Sequence, residues 1–368
     1  MKKTLVAVAA MAAVTGAMAD ASIYGTIDQA YYSGKSTDSD GLTSKVNGIT
    51  GINNGGSAIG FKASEDIGGG MKVYFQQEIG LHTEQQGGPA NSTIYTGASN
   101  SATSTTESTS SYAYENRNSF LGLSGGFGTL QVGRQYNFAF YNIISNDPMG
   151  FSGLGSFTAG LAGNPARTSQ LVAYTLPSFV PGLNVQLGKA YANTETGTGA
   201  TGGNTFKTGD STSWALNYSA NGLYIGATNE AVIGDTSDTK VKHSSVTATY
   251  DFGVAKIGYG TTKSSSQTAT LGSSIDSAYD LDFTSYNGQS TSITVPVSTA
   301  LSVYYNINSL KAEDSTATNA TVKIKGTQLG ANYALSKRTT VYVQTGKKSV
   351  DGSPVATSAY AIGLLHGF

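Results

Sequence analysis

The sequence predicts an all-β chain, a 16-stranded antiparallel transmembrane β-barrel, and three observations predict it. Period-2 alternation recurs from one end of the chain to the other, the mark of strands whose two faces meet different surroundings. Short turns alternate with long polar loops, the rhythm of an up-and-down barrel. The composition is rich in Gly (47) and Tyr (22) and poor in Pro (7) and charge (12 %), with a mean hydropathy of −0.15. Beyond the N-terminus no apolar run is long enough for a helical span. A secreted β-sandwich or β-helix is the soluble competitor, but a β-helix would carry a fixed short repeat, and none is visible.

The N-terminus sets the compartment. Met1-Lys-Lys is a positive n-region, Leu5–Val14 a short apolar core, and Ala17-Met18-Ala19 an A-x-A cleavage site. Residues 1–19 are therefore expected to be a cleaved signal peptide, and 20–368 a single barrel domain. The charge balance, 22 Lys+Arg against 23 Asp+Glu, offers no basic excess and hence no argument for nucleic acid. With no cysteine, disulfide stapling is excluded, and burial and backbone hydrogen bonds must hold the fold.

In order, the expected strands begin with Ser22–Tyr32, Ser57–Ala63 and Met71–Ile79, the last two joined by the turn Ser64–Gly70. In Met71–Ile79, Met71, Val73 and Phe75 share one face, while Lys72, Tyr74, Gln76 and Glu78 share the other. Leu81–Ser111 is rich in Ser, Thr and Gly and reads as an exposed loop. Arg117–Ser124 and Thr129–Gln135 form a hairpin on a glycine turn. The charge-poor stretch Asn137–Gly163 follows, long enough to be functional or disordered.

Next come Arg167–Leu176, Leu183–Ala192, Ser211–Ser219, Leu223–Ile233, His243–Phe252 and Ala255–Lys263. A Ser/Thr-rich loop is expected over roughly Ser264–Gln289, then Thr291–Val297, Ala300–Ser309, Thr321–Leu335, Thr340–Lys347 and Thr357–Phe368. The final strand is the sharpest: Tyr360, Ile362, Leu364, His366 and Phe368 share a face. In a closed barrel it must pair with Ser22–Tyr32, because open edges are not tolerated in lipid.

The chain resembles the trimeric Gram-negative general porins, especially their β-proteobacterial branch, over essentially the whole length after the leader. The pieces are Ile23-Tyr-Gly25, Gly60-Phe-Lys62, Phe120-Leu-Gly-Leu123, Phe127-Gly-Thr-Leu130, Gly133-Arg134, Tyr174-Thr-Leu-Pro-Ser-Phe179, Tyr250-Asp-Phe-Gly253, Tyr333-Ala-Leu-Ser-Lys-Arg-Thr339 and His366-Gly-Phe368. The resemblance implies a water-filled, outer-membrane channel that passively admits small hydrophilic solutes and ions, with no cofactor and no catalysis. It also implies a homotrimer in outer-membrane lipid and lipopolysaccharide, delivered to the barrel assembly machinery by its C-terminal strand.

In this family the third extracellular loop folds into the barrel, so the resemblance makes 137–163 the constriction loop, with Asn137, Pro148, Met149, Gly150 and Phe151 among its residues. It assigns Arg117, Arg134, Arg167 and Lys62 to the basic side of the lumen and Glu78 to the acidic side. Two positions depart from the pattern: Ala58 stands where the family has arginine, and Met149 where the loop has an acid. Asp147 is the nearest substitute. Both departures remove charge, and a weaker transverse field is expected.

Of four arginines in the chain, three flank one loop; ordinary surface pairing is the plainer account, and Arg338 falls in a short turn. A charge in a narrow aqueous passage between low-dielectric walls acts strongly on passing ions. Gly122-Leu-Ser124-Gly-Gly126 fits a nucleophile elbow, but the following context is strand–turn–strand, with no helix and no nearby His. His82, His243 and His366 lack metal-ligand spacing. Asn91-Ser-Thr93 is a sequon in a bacterial-type loop, and Asp276, Asp280 and Asp282 could hold a divalent cation or be a solvated acidic loop. A substrate-specific channel for sugars or organic acids, and an exported adhesin, remain alternative readings.

Overall fold

The computed structural model describes residues 20–52, 56–81, 89–91, 110–112, 114–149, 154–156, 166–191, 210–233, 240–269, 283–314 and 321–368. The expected leader, His82, Ser92 and Thr93 of the sequon, Gly150 and Phe151 of the loop, and Asp276, Asp280 and Asp282 lie outside the described residues.

The strands are β1 (Asp20–Thr37), β2 (Thr43–Thr50), β3 (Ser57–Gly68), β4 (Met71–Leu81), β5 (Pro89–Asn91), β6 (Ser110–Tyr112), β7 (Tyr114–Gly125), β8 (Gly128–Tyr136), β9 (Arg167–Thr175) and β10 (Leu183–Ala190). They continue as β11 (Ser211–Ala220), β12 (Leu223–Ile233), β13 (Lys240–Asp251), β14 (Lys256–Ala269), β15 (Phe283–Pro296), β16 (Leu301–Asp314), β17 (Thr321–Ala334), β18 (Thr339–Val350) and β19 (Ala356–Gly367). Among the described residues one helix, α1 (Phe138–Ile144), lies between β8 and β9.

Seventeen strands form one antiparallel sheet, closed by the pairing of β1 with β19; β5 and β6 form a separate two-stranded ribbon. β3 pairs with residues 20–26 of β1 and β2 with residues 30–37, so β2 and β3 share one lane and the barrel has sixteen. Reciprocal bonds between the backbones of Gly25 and Phe368 finish the seam.

Alternation decides which face each residue takes. On β18, Tyr342 and Gln344 point into the barrel and are buried, while Val341 and Val343 point out, Val343 with 51 % of its surface exposed. Throughout the described strands, polar groups such as Thr247, Asn306, Asn308 and Gln328 are buried inside. Ile23, Phe75, Leu121, Trp214, Ile307 and Ile362 are exposed outside. This inverts a soluble protein's pattern and matches a wall between water and lipid.

Four expectations need correction. β2 was not foreseen, because Thr43–Thr50 is polar on both faces and gives no period-2 signal. Part of the exposed insert 81–111 is strand: β4 extends to Leu81 and β5–β6 form a ribbon. The loop expected over 264–289 is shorter, since β14 runs to Ala269 and β15 begins at Phe283. Ser and Thr suit a strand that rises past the apolar band, where solvent meets its outer face. Finally, 137–163 is not wholly irregular: seven residues form α1, started by Asn137, whose side chain accepts from the Phe140 N–H at 2.6 Å.

Candidate pore constriction

The segment after β8 turns into the barrel and runs along the inner wall. Phe138 packs on Leu171, Ala173, Ala190 and Ala215 of β9, β10 and β11. Ile143 sits among Tyr286, Leu310, Ala312 and Ile324 of β15, β16 and β17, with Val355. Leu154 joins Ala30, Tyr342 and Ala361 on β1, β18 and β19. Burying each of these three anchors contributes about 1.5–3 kcal/mol.

Between the apolar anchors the attachment is polar. Asn142 donates from Nδ2 to Ser245 Oγ (2.8 Å) and accepts at Oδ1 from the Tyr224 hydroxyl (3.1 Å). Asn146 donates from Nδ2 to the Ser290 carbonyl (3.0 Å) and accepts at Oδ1 from Ser292 Oγ (2.6 Å). Asn308 Nδ2 donates to the Gly155 carbonyl at 3.4 Å. The wall opposite these asparagines carries glycine: a Cβ on Gly226 would meet Asn142 Oδ1, and one on Gly258 would meet Asn146 Oδ1. Both glycines serve close approach.

Charge gathers at the root of the segment. A bulge in the β4–β7 ladder sets Arg117 and Asn118 together opposite Glu78, between the pairs Gln77–Ser119 and Ile79–Asn116. Both side chains therefore turn inward, where strict alternation would send one out. Arg117 Nε donates to Glu78 Oε1 at 2.7 Å, and Glu78 Oε2 accepts from the Tyr24 hydroxyl at 3.0 Å. The Tyr136 hydroxyl accepts from Arg117 Nη2 (3.3 Å) and from Arg167 Nη2 (2.9 Å). The Arg167 guanidinium also lies 4.6 Å from the Tyr136 ring centroid, and that ring stacks on Phe140 of α1 at 5.0 Å. Tyr136 thus couples the basic pair to the inserted helix.

The other expected site residues are more scattered. Lys62 faces inward near the short-turn end, with Nζ 5.4 Å from the Tyr24 ring centroid. Ala58 is also inward, in register with Thr26 and Gly80. Asp147 makes two bonds within the segment. Its carboxylate accepts from the Met149 N–H (2.9 Å) and Ser156 Oγ (3.0 Å), which folds the segment on itself. Met149 is buried and Pro148 half-buried.

Arg134 departs from its expected place in the lumen. It pairs in register with Ser119, on the outward side with Leu121 and Val132, and donates to the Asn116 carbonyl and to Ser169 Oγ. Alternation along the β7–β8 ladder is uninterrupted there and carries the side chain outside. Tyr24, Tyr136, Asn142, Asn146 and Lys256, whose Nζ donates to the Ser145 carbonyl at 3.4 Å, were not singled out in the sequence. The inward parity of Tyr24 and Lys256 was readable; the convergence of all five was not.

Tyr360, Ile362, Leu364 and Phe368 form the outward face of the closing strand, Tyr360 packing near Tyr31. His366 Nδ1 is 2.9 Å from Thr339 Oγ1. His243 is buried inside β13, and Ser124 precedes a strand–turn–strand, its hydroxyl donating to the Lys72 carbonyl.

A family model described as Gram-negative porin matches residues 7–353. The major outer membrane protein P.IB of Neisseria meningitidis is 38 % identical over 135 residues, 36 % of this chain and 34 % of that protein. The chain thus matches about a third of the length of that curated relative. Among solved structures, an anion-selective porin from Comamonas acidovorans superposes with a TM-score of 0.70 at 19 % identity, covering 95 % of this chain and all of that one. OmpF of Salmonella typhi, in complex with daunomycin, superposes at 0.69 with 15 % identity over 95 % of this chain and 97 % of its own.

Proposed function

The chain belongs to the Gram-negative porin family and is an outer-membrane β-barrel, and from that premise we propose that it forms a water-filled channel for passive diffusion of small hydrophilic solutes and ions. The observation that carries this reading is a closed barrel with a largely polar inner face, along which the inserted segment is held by amide and hydroxyl bonds as well as by apolar anchors. Residues 1–19 act as a removable leader, the protein works as a homotrimer, and the barrel assembly machinery receives it through Tyr360, Ile362, Leu364, His366 and Phe368. The chain performs no catalysis and uses no cofactor.

Ion preference in this reading is set at the root of the segment, by Arg117, Arg167 and Lys62 against Glu78. The Comamonas channel is described as anion-selective. Here the preference is weaker, because Glu78 answers Arg117 and Ala58 supplies no charge where the family has arginine. Single-channel recording of the refolded protein in a planar bilayer tests the reading. Stable ohmic open steps with a small reversal potential in a salt gradient are expected; a refolded barrel that leaves the bilayer silent overturns it. The aromatic group of Tyr136, Phe140 and Tyr141 favours a second reading, a sugar-preferring channel, which predicts a saturable, competitor-blocked current.

A further inference from the structure

Arg167 and Tyr141 meet at Tyr136. The Arg167 guanidinium lies 4.6 Å from the Tyr136 ring centroid and donates from Nη2 to its hydroxyl. The Tyr141 ring stands 5.0 Å from the same centroid, edge-on at 65°. Among the described residues, the large apolar side chains left exposed stand mostly on the outward wall or in turns and loops. Tyr141 stands instead on α1, inside the barrel, with 57 % of its surface exposed. Asn142 and Ile143, next along the helix, bond and pack to the wall, which leaves Tyr141 on the open side.

Charge at this place is positive. Two guanidinium groups, Arg117 and Arg167, share the root of the segment with one carboxylate, Glu78, and Arg117 Nε takes up Glu78 Oε1 at 2.7 Å. Residues 150–165, the rest of the segment, contain no Asp or Glu. A guanidinium fork matches a carboxylate, and an exposed ring matches another ring, edge-to-face or offset. A neutral sugar would use the ring and leave the charge unused. A short aliphatic acid would use the charge and leave the ring wet.

We propose that Arg167 and Tyr141 form a binding site for small aromatic carboxylates at the constriction. The inference rests on the diffusion-channel reading and names the solute class that such a channel would hold best.

The test is block of the potassium chloride current through the refolded barrel, titrated with benzoate, cyclohexanecarboxylate, benzyl alcohol and maltose. Benzoate should half-block at a concentration about threefold or more below cyclohexanecarboxylate, the margin that a ring–ring contact supplies. Benzyl alcohol and maltose, which lack the charge, should block less well than benzoate. Tyr141→Leu should erase the margin between the two acids, and Tyr141→Phe, which keeps the ring, should preserve it. Arg167→Gln should weaken benzoate about tenfold, the loss of a charge-assisted contact. Arg134→Ala, on the outer face, should change nothing. If Arg167→Gln fails to fold, the two Tyr141 variants, at an exposed side chain, carry the comparison.

Equal block by the two acids in the wild type overturns the inference, as does a margin that survives Tyr141→Leu or a stronger block by maltose. Saturation-transfer NMR of benzoate on the detergent-solubilised barrel reads binding without a current. A silent barrel that binds benzoate through Tyr141 sinks only the channel reading, and a conducting barrel indifferent to benzoate sinks only the site.

Discussion

The wall of this barrel differs along its circumference. From β10 to β18 it receives the inserted segment through amides, hydroxyls and glycine gaps, and Lys256 touches it as well. From β3 to β9 it carries the ionic group of Glu78, Arg117 and Arg167, held together through Tyr136. In the proposed reading the first, docking arc, whose inner face also holds the buried Glu230, positions the constriction, and the charged arc gives it electrical character. Asp147, the acid on the segment itself, bonds within the segment's own turn.

Breaking the charged arc should have the largest effect. Arg117→Ala leaves Glu78 buried without its nearest cation, and removing one partner of a buried pair costs ~3–5 kcal/mol. Urea unfolding of the lipid-reconstituted barrel measures it, and a midpoint unchanged from wild type would mean that Glu78 is solvated after all.

Disturbing the docking arc comes next. Gly258→Val sets a side chain against Asn146 Oδ1, an overpacking of ~1–3 kcal/mol against anchoring hydrogen bonds worth about 1 kcal/mol each. The segment should lift from the wall there, giving noisier and altered single-channel conductance with an unchanged reversal potential. A shift of reversal potential instead would show that the two arcs are not separable.

The smallest effect sharpens the comparison rather than breaking it. Arg167→Ala should move the reversal potential modestly toward cations, because it removes a positive charge held at the root of the segment by Tyr136, while Arg134→Ala on the outer face should leave it unmoved. Salt-gradient recordings of the two variants side by side decide the point.

Much of this was legible in the residues. The alternation of Tyr360, Ile362, Leu364 and Phe368 against Ala361, Gly363 and Leu365 was enough to assign an outward face and the closing partner, because period 2 is a local property. The polar inward face of β4, with Glu78 in it, was equally local. Arg134 shows where that reasoning needs care: family likeness placed it in the lumen, while its own parity with Val132 pointed outward.

The sequence alone determined the strand pattern, the sixteen-lane barrel and the positions at which charge enters, since each depends on spacing along a few residues. Tertiary structure decided which of those charges meet. The bulge that turns Arg117 inward depends on a register between β4 and β7, and the docking of Asn142 and Asn146 depends on glycines about a hundred residues away. Such contacts are set by how strands tilt and stagger when the sheet closes, and no local periodicity encodes that closure.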